Sequence, residues 1–394
     1  MRNLLVLATC SFSLLFVVLA PRAWAGDFVW DHVGNGGTPG TASLNGTVTA
    51  LHVDGTDLYV GGTFTDAGGV ASADYVAKWD GTAWSGFAPL NGGVKAIAVA
   101  GGKLFVGGNF TDASDNPDAD FLATWNGSAW EPFCNPLNGT VFALQVIGNK
   151  LYVGGAFQNG TGLASADYLV ACDLTTGTPN STIANDGDMN SVIYALTADA
   201  SGTLYVGGAA INIDGNALID HVGAYDGAWH AMGSGSGGAA VNDVVRALAS
   251  DGTNVYVGTD AVDIAGIAGA DHVARWDGAS WHAMGSNYFS TPTSINALTV
   301  AGSLVFAAGS FQDANGDPLA DAIVYWDGLA WHPLGSDGAG NGPLSANVNA
   351  LATLGARVFA GGSFTNAAGD TIARFIAQSP IGPFIVFADG FEGP

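Results

Sequence analysis

The chain has 394 residues, 48% apolar and 11% charged, with 34 acidic against 10 basic residues and a formal charge of −24. So acidic a chain repels nucleic acid and anionic lipid, which excludes those partners, and it attracts cations. Three cysteines without a CxxC motif or a Cys/His cluster exclude a zinc site.

The first segment is a targeting signal in pattern. Met1-Arg2-Asn3 is a short basic start, Leu4 to Ala20 is apolar, and Ala23-Trp24-Ala25 matches a small-residue cleavage site. This predicts a signal peptide over 1–25, and removing it takes away Arg2 and Arg22. The remainder has 8 basic against 34 acidic residues, a formal charge of −26. No later stretch is apolar enough to span a bilayer, so no membrane span is expected after processing. The expected location is outside the cytoplasm: secreted, at the cell surface, or in the periplasm. Such a compartment permits a disulfide between Cys134 and Cys172, in neighbouring repeats, but spacing alone leaves the pairing open.

From residue 48 onward one unit recurs. Leu58-Tyr59-Val60-Gly61-Gly62 returns at Leu104, Leu151, Leu204, Val255, Val305 and Val358, with start-to-start gaps of 46, 47, 53, 51, 50 and 53 residues. A short apolar run precedes each copy: 48–51, 94–97, 141–144, 193–196, 245–248, 295–298 and 348–351. A third segment ends on Trp79, Trp125, Tyr225, Trp276, Trp326 or Phe375, with Cys172 in that place in the third unit. A fourth carries Trp84, Trp130, Trp229, Trp281 or Trp331. Val, Tyr, Phe and Trp bounded by Gly, Asn and Asp are strand chemistry, and Asp80-Gly81, Asn126-Gly127, Asp226-Gly227, Asp277-Gly278 and Asp327-Gly328 suit hairpin turns with positive φ. No amphipathic helix is evident.

Four strands per unit of about 50 residues describe a propeller blade. The fourth segment is missing after Phe375, yet Phe28-Val29-Trp30-Asp31-His32-Val33-Gly34 supplies an extra copy near the start. The expectation is an all-β, seven-bladed β-propeller over 26–379, closed by an N-terminal outer strand, with a tail over 380–394. The third unit loses its tryptophan pair, and its fourth strand is expected through Ser181-Thr182-Ile183.

The loops joining the second and third strands carry the candidate chemistry. Four residues past each Gly-Gly come Asp66, Asp112, Asn159, Asn212, Asp263, Asp313 and Asn366. Five residues before each third-strand aromatic position come Asp74, Asp120, Asp167, Asp220, Asp271, Asp321 and Asp370. Two rings of oxygen ligands on one face are expected. Such side chains cap turns, and their regularity points to architecture first. They also suit calcium, a hard cation. The candidate calcium loops are Asp313, Asn315, Asp317 and Asp321, and Asp112, Asp118 and Asp120. Neither has the bidentate Glu of a helical calcium loop. His230, His282 and His332 follow fourth-strand tryptophans, and His221 and His272 follow ring aspartates; all five read as surface positions. No nucleophile elbow occurs, and glutamate occurs only at Glu131 and Glu392, which argues against paired-acid glycoside cleavage.

The run Leu-Tyr-Val-Gly-Gly-x-Phe-Thr followed by Trp-Asp-Gly-x-x-Trp resembles kelch-like propeller repeats, of the variety in bacterial secreted repeat proteins and fungal cortical polarity markers. The resemblance implies the propeller fold and either a binding scaffold or an oxidase. The Tyr-Cys crosslink with Tyr and His ligands of the copper-radical oxidases has no counterpart here. Phe387-Ala388-Asp389-Gly390-Phe391-Glu392-Gly393 resembles a C-terminal motif of secreted proteins in some Gram-negative bacteria, which implies export and sorting. The resulting expectation is a monomeric, non-enzymatic scaffold for a protein or glycan on one propeller face. The alternative is a secreted polysaccharide hydrolase, lyase or oxidase with its site at the central channel mouth.

Overall fold

The computed structural model describes residues 28–381 except 39, 135, 163–165, 181–182, 184–188, 236–237, 286–287 and 290–292. The expected signal peptide lies outside the described residues, and so does the tail beyond 381. Seven four-stranded antiparallel sheets stand in a ring. In blade 1 the inner strand is Val48–Asp54, followed outward by Asp57–Gly62, Val76–Trp79 and Trp84–Gly86. Inner and second strands join at one face of the ring, as do third and outer strands. The second-to-third loops and the links between blades lie at the opposite face. Five of those loops hold the only helical pieces among the described residues, all short 3-10 turns.

The last blade is completed from the other end of the chain. Asp31–His32 pairs with Ile376–Pro380, with Asp31 opposite Gln378 and His32 opposite Ala377. Seven buried apolar clusters separate the blades, each drawn from two neighbours. One of them joins Val33, Leu58 and Val60 to Phe359 and Ile376, so the two chain ends share a core. The closing strand also covers part of the edge of Ile376–Pro380, at which another chain could pair.

The Gly-Gly doublet is a matter of space. A methyl group on Gly61 would sit 2.6 Å from Val94 Cγ1 of the next blade, and one on Gly62 would overlap the Thr47 carbonyl. The first glycine therefore sets how closely blades approach, and the second lets the inner strand cross.

A clasp of tryptophans ties the rim. The outer-strand indole N–H donates to a carbonyl just past the previous blade's outer strand. The pairs are Trp84 to Val33 (3.2 Å), Trp130 to Ala88 (2.8 Å), Trp281 to Met232 (2.5 Å), Trp331 to Met284 (2.5 Å) and Trp30 to Leu334 (2.7 Å). Gly34 lies against one such pair: a Cβ there would be 2.6 Å from Trp84 Nε1 and 2.7 Å from Trp79 Cζ3. Trp229 of blade 4 has no acceptor for its indole among the described residues.

Blade 3 is the exception that explains this. Cys172 pairs with Leu151 as Trp79 pairs with Leu58, and Pro179 stands where Trp84 does. Cys134 follows Trp130 at the spacing by which Gly34 follows Trp30. It is disulfide-bonded to Cys172, with the Cα atoms 5.8 Å apart. The disulfide thus occupies the space that glycine and tryptophans fill elsewhere. The outer strand of this blade is described over Pro179–Asn180. The turn after Cys172 has six residues where that after Trp79 has four; of the expected 181–183, Ser181 and Thr182 lie outside the described residues.

Two expectations about turns and repeats need correction. The Asp-Gly hairpins form, but the Asp80–Ala83 loop has four residues, with Trp79 opposite Trp84, and only Gly81 takes a positive φ, 95°. Asp80 acts instead through Oδ1, which accepts from the Thr82 and Ala83 amides, both at 2.8 Å. Phe375 does not end the third strand of blade 7. Gly361 lies opposite Ile376 as Gly61 lies opposite Val76, so Phe375 matches Tyr75 and Ser379 takes the tryptophan position. Tyr75 and Phe375 also share a positive φ of 63° and 65°.

The hairpin carboxylates make stability acid-sensitive. Hydrogen bonds from Thr82 and the Ala83 amide hold Asp80 at about 2, and the Thr176 and Thr175 amides hold Asp173 below the usual range. Depression on folding contributes stability above the unfolded value of about 3.9, lost as pH falls through the folded value. Asn126 makes the same amide contacts without titrating. The double variant Asp80→Asn/Asp173→Asn is therefore expected to show a smaller drop in urea midpoint between pH 4 and pH 2 than the parent.

Candidate functional site

Every inner strand begins with the same irregularity. Val48 pairs with Gly62 and Ala50 with Gly61, so Thr49 is an extra, bulged residue. The same shift isolates Lys95, Phe142, Tyr194, Arg246, Asn296 and Asn349. A bulge re-aims a side chain and is a common device beside binding sites. All seven bulge residues are half-buried, and the first six line a central cavity of 220 Å³. They sit at the channel end nearest the second-to-third loops.

The bulge position varies in chemistry around the ring. On one arc it serves the frame: Thr49 Oγ1 donates to Val94 O at 2.5 Å, Asn296 to Val348 O at 3.5 Å and Asn349 to Val48 O at 3.1 Å, each bridging to the next blade. On the other arc, blades 2 to 5, it presents Lys95, Phe142, Tyr194 and Arg246. The Lys95 ammonium lies 5.7 Å from the centre of the Phe142 ring, and it has no carboxylate partner among the described residues. Phe142 and Tyr194 pack with centroids 5.4 Å apart at 60°.

Arg246 is fixed by a dedicated carboxylate. Its Nε and Nη2 donate to Asp260 at 2.7 to 3.1 Å, and Ser294 Oγ adds a bond to Asp260 at 3.0 Å. Burial pushes the Asp260 carboxyl up, but Arg246 outweighs it and holds the group below its ordinary range; the same contact raises Arg246. Blade 5 also breaks the Gly-Gly doublet here. Thr259 replaces the second glycine, and its hydroxyl donates to Val244 O at 2.8 Å. The blade that departs most in polar chemistry at the channel is therefore the fifth, whereas the sequence drew attention to the third.

The Asx residues cap loops. In blades 2 to 6 the amides of Asp112, Asn159, Asn212, Asp263 and Asp313 donate to Asp120, Asp167, Asp220, Asp271 and Asp321 at 2.5 to 2.8 Å. Blades 1 and 7 differ: Asp66 and Asn366 accept from Gly69 and Gly369. The second ring is not seven-fold in Asp. With Phe375 matched to Tyr75, the position of Asp74 falls on Arg374, and Asp370 matches Val70 at the ring's seam.

At the proposed calcium loops, Asp321 accepts from the Asp313 and Gly342 amides, Asp317 accepts from the Leu319 amide, and the Asn315 amide donates to Tyr288 O. Asp120 accepts from the Asp112 amide, and the Asp118 amide donates to Asn116 Oδ1. Of these side chains, Asp317, Asp321 and Asp120 spend carboxylate oxygens on turn amides. Among the described residues, three His, Cys, Asp or Glu ligand atoms lie within 4.8 Å of one another at Asp31, His32 and Asp370. There the imidazole Nδ1 lies 2.9 Å from both carboxylates, across the closing seam.

The histidines divide. His230, His282 and His332 each bond the aspartate of their own hairpin, Asp226, Asp277 and Asp327, at 2.6 to 2.8 Å. His272 is not a surface residue: it is 2% exposed, because the residue before each third strand turns in between blades. His221, at the same position in blade 4, is half-buried, with Nδ1 lacking a partner.

These features define a seven-bladed β-propeller with a chemically one-sided channel mouth. No known family profile matches the chain, and no curated protein matches it. Solved structures do. The extracellular domain of a protein described as a one-component system from B. thetaiotaomicron aligns at a TM-score of 0.56 and 14% identity over 90% of this chain. This chain spans 40% of the length of that extracellular domain. YCF48 bound to D1 peptide aligns at 0.51 and 11% identity, over 91% of this chain and 97% of that one. YCF48 from Cyanidioschyzon merolae aligns at 0.51 and 12% identity, over 89% and 98%. At such identities the likeness is one of fold.

Proposed function

We propose that this is an exported, non-enzymatic binding propeller that holds a protein ligand over the channel mouth. The observation that carries the reading is the bulge position. It is identical in backbone in all seven blades, yet four consecutive blades place two cations and two aromatic rings there. Side chains spent on the frame elsewhere are turned to the channel on this arc. Aromatic and arginine residues are the usual anchors of protein ligands. Of the carboxylates near Arg246, Asp260 is committed to Arg246 and Ser294 and Asp243 accepts from the Val244 amide, which favours holding a ligand over acid–base chemistry. The kelch-like repeat pattern, the export signal, the extracellular propeller from B. thetaiotaomicron and the peptide on YCF48 all agree with this reading.

The test is a binding screen of the purified protein against immobilised peptides and glycans. Hits are expected to weaken about tenfold or more in Lys95→Ala/Tyr194→Ala, as loss of an anchor contact worth about 1.4 kcal/mol requires. They should persist in Leu329→Ala, an exposed position on a hairpin at the opposite face. Hits that ignore the double variant and follow Leu329 would move the site to the other face and end this reading.

A further inference from the structure

We infer that the channel mouth selects a carboxylate side chain of an acidic protein segment; this rests on the channel reading above and adds the ligand's chemistry. The chain carries 34 acidic and 10 basic residues, so a cation turned to the channel is a scarce thing in it. Lys95 is such a cation. It stands half-buried at the channel, backed by Phe142 at 5.7 Å, with no carboxylate partner among the described residues. Three blades on, Arg246 uses Nε and Nη2 on Asp260, which fixes the guanidinium plane and leaves Nη1 without a hydrogen bond among the described residues. Tyr194 lies between them in the ring and lines the same cavity, and its hydroxyl has no partner among the described residues. An ammonium, a guanidinium edge and a phenol around one small cavity form a set dominated by donors, and the nearby Asp243 carboxylate already accepts from the Val244 amide. A carboxylate is the group that satisfies it.

The size and shape of the cavity favour a side chain over a sugar. A volume of 220 Å³ is below the range of about 300–1,000 Å³ usual for whole small-molecule ligands. Phe142 and Tyr194 are inclined at 60° and pack on one another, so they present no flat platform on which a pyranose could stack. Net charge then acts as a filter. A basic segment is drawn to the whole surface but meets two cations at the channel. An acidic segment is repelled at long range and held only where its carboxylate reaches Lys95 and Arg246.

The experiment uses a fluorescently labelled, extended Glu-Ser repeat peptide, its Gln-Ser and Lys-Ser counterparts, and an oligogalacturonate as competitor. The Glu-Ser peptide is expected to bind at least tenfold more tightly than the Gln-Ser peptide. Lys95→Ala should remove most of that difference and Lys95→Arg should retain it, with the thermal transition unchanged in both. Raising salt should speed association, by screening the overall repulsion, while also speeding dissociation. Equal binding of Glu-Ser and Gln-Ser, still sensitive to Tyr194→Ala, would overturn the carboxylate inference and leave the channel site standing. Binding of oligogalacturonate in preference to every peptide would overturn the choice of a protein segment. Tight binding of Lys-Ser at the channel would overturn the charge filter. Peptide binding that no channel substitution affects would remove both this inference and the reading beneath it.

Discussion

Replacing Trp30 with alanine is expected to destabilise the protein by about 3–5 kcal/mol, the usual cost of deleting a buried large aromatic side chain. Trp30 is 3% exposed and lies in the apolar layer between blades 6 and 7, beside Leu334, Val348 and Phe364. Its indole N–H donates to Leu334 O, and its backbone leads into the two-residue strand that closes the ring. Losing the ring leaves a cavity and frees the Asp31–His32 strand to detach. Detachment would bare the edge of Ile376–Pro380 to other chains. The urea midpoint by circular dichroism should therefore fall steeply, and aggregation on heating should begin earlier. Two further variants separate the clasp bond from the packing. Trp281→Phe removes an indole donor bonded to Met232 O and should cost about 1 kcal/mol from that bond, whereas Trp229→Phe removes a donor without an acceptor among the described residues and should cost less. A Trp30→Ala midpoint within error of the parent would mean that the N-terminal strand does not close the ring in solution.

The ring was legible in the sequence because its evidence is periodic. Counting strand types rather than glycines predicts that residues near Trp30 complete the last blade, and the pairing of Asp31 with Gln378 bears this out. The fine register was less legible. Requiring an aromatic at the end of each third strand pulled blade 7 out of step by four residues, because Ser379 stands where tryptophan was sought. That slip made Asp370 a member of a ring to which Arg374 belongs by position. The channel set was missed for the opposite reason. A search for repeats favours positions that stay the same, and the bulge position carries Thr, Lys, Phe, Tyr, Arg, Asn and Asn in the seven blades. The signal was present: a varying residue held between a repeated Val or Ile and a repeated Ala or Leu pattern, including Lys95 and Arg246 in a chain poor in cations. In a repeat protein the frame is read from what recurs and the site from what does not.

Breaking the disulfide between Cys134 and Cys172 is expected to cost about 4 kcal/mol on the chain-entropy account, since it closes a loop of 38 residues. Its place in the ring makes the loss local as well. The interface between blades 2 and 3 has no outer-strand tryptophan to donate across it, because Pro179 stands at that position. Phe133, Leu137 and Val141 pack around the cysteines in the same apolar layer. The double variant Cys134→Ser/Cys172→Ser should therefore lower the urea midpoint, and reductant should lower that of the parent but not of the variant. Hydrogen exchange should quicken first in Leu169–Asp173, ahead of the other third strands, since opening begins where the clasp is lost. If the disulfide stands in for the clasp, the triple variant Cys134→Gly/Cys172→Trp/Pro179→Trp rebuilds the missing unit. It should then recover part of the stability and lose its dependence on reductant. A triple variant no more stable than the double serine variant would show that the disulfide does more than replace a tryptophan pair. A parent protein indifferent to reductant would remove the premise.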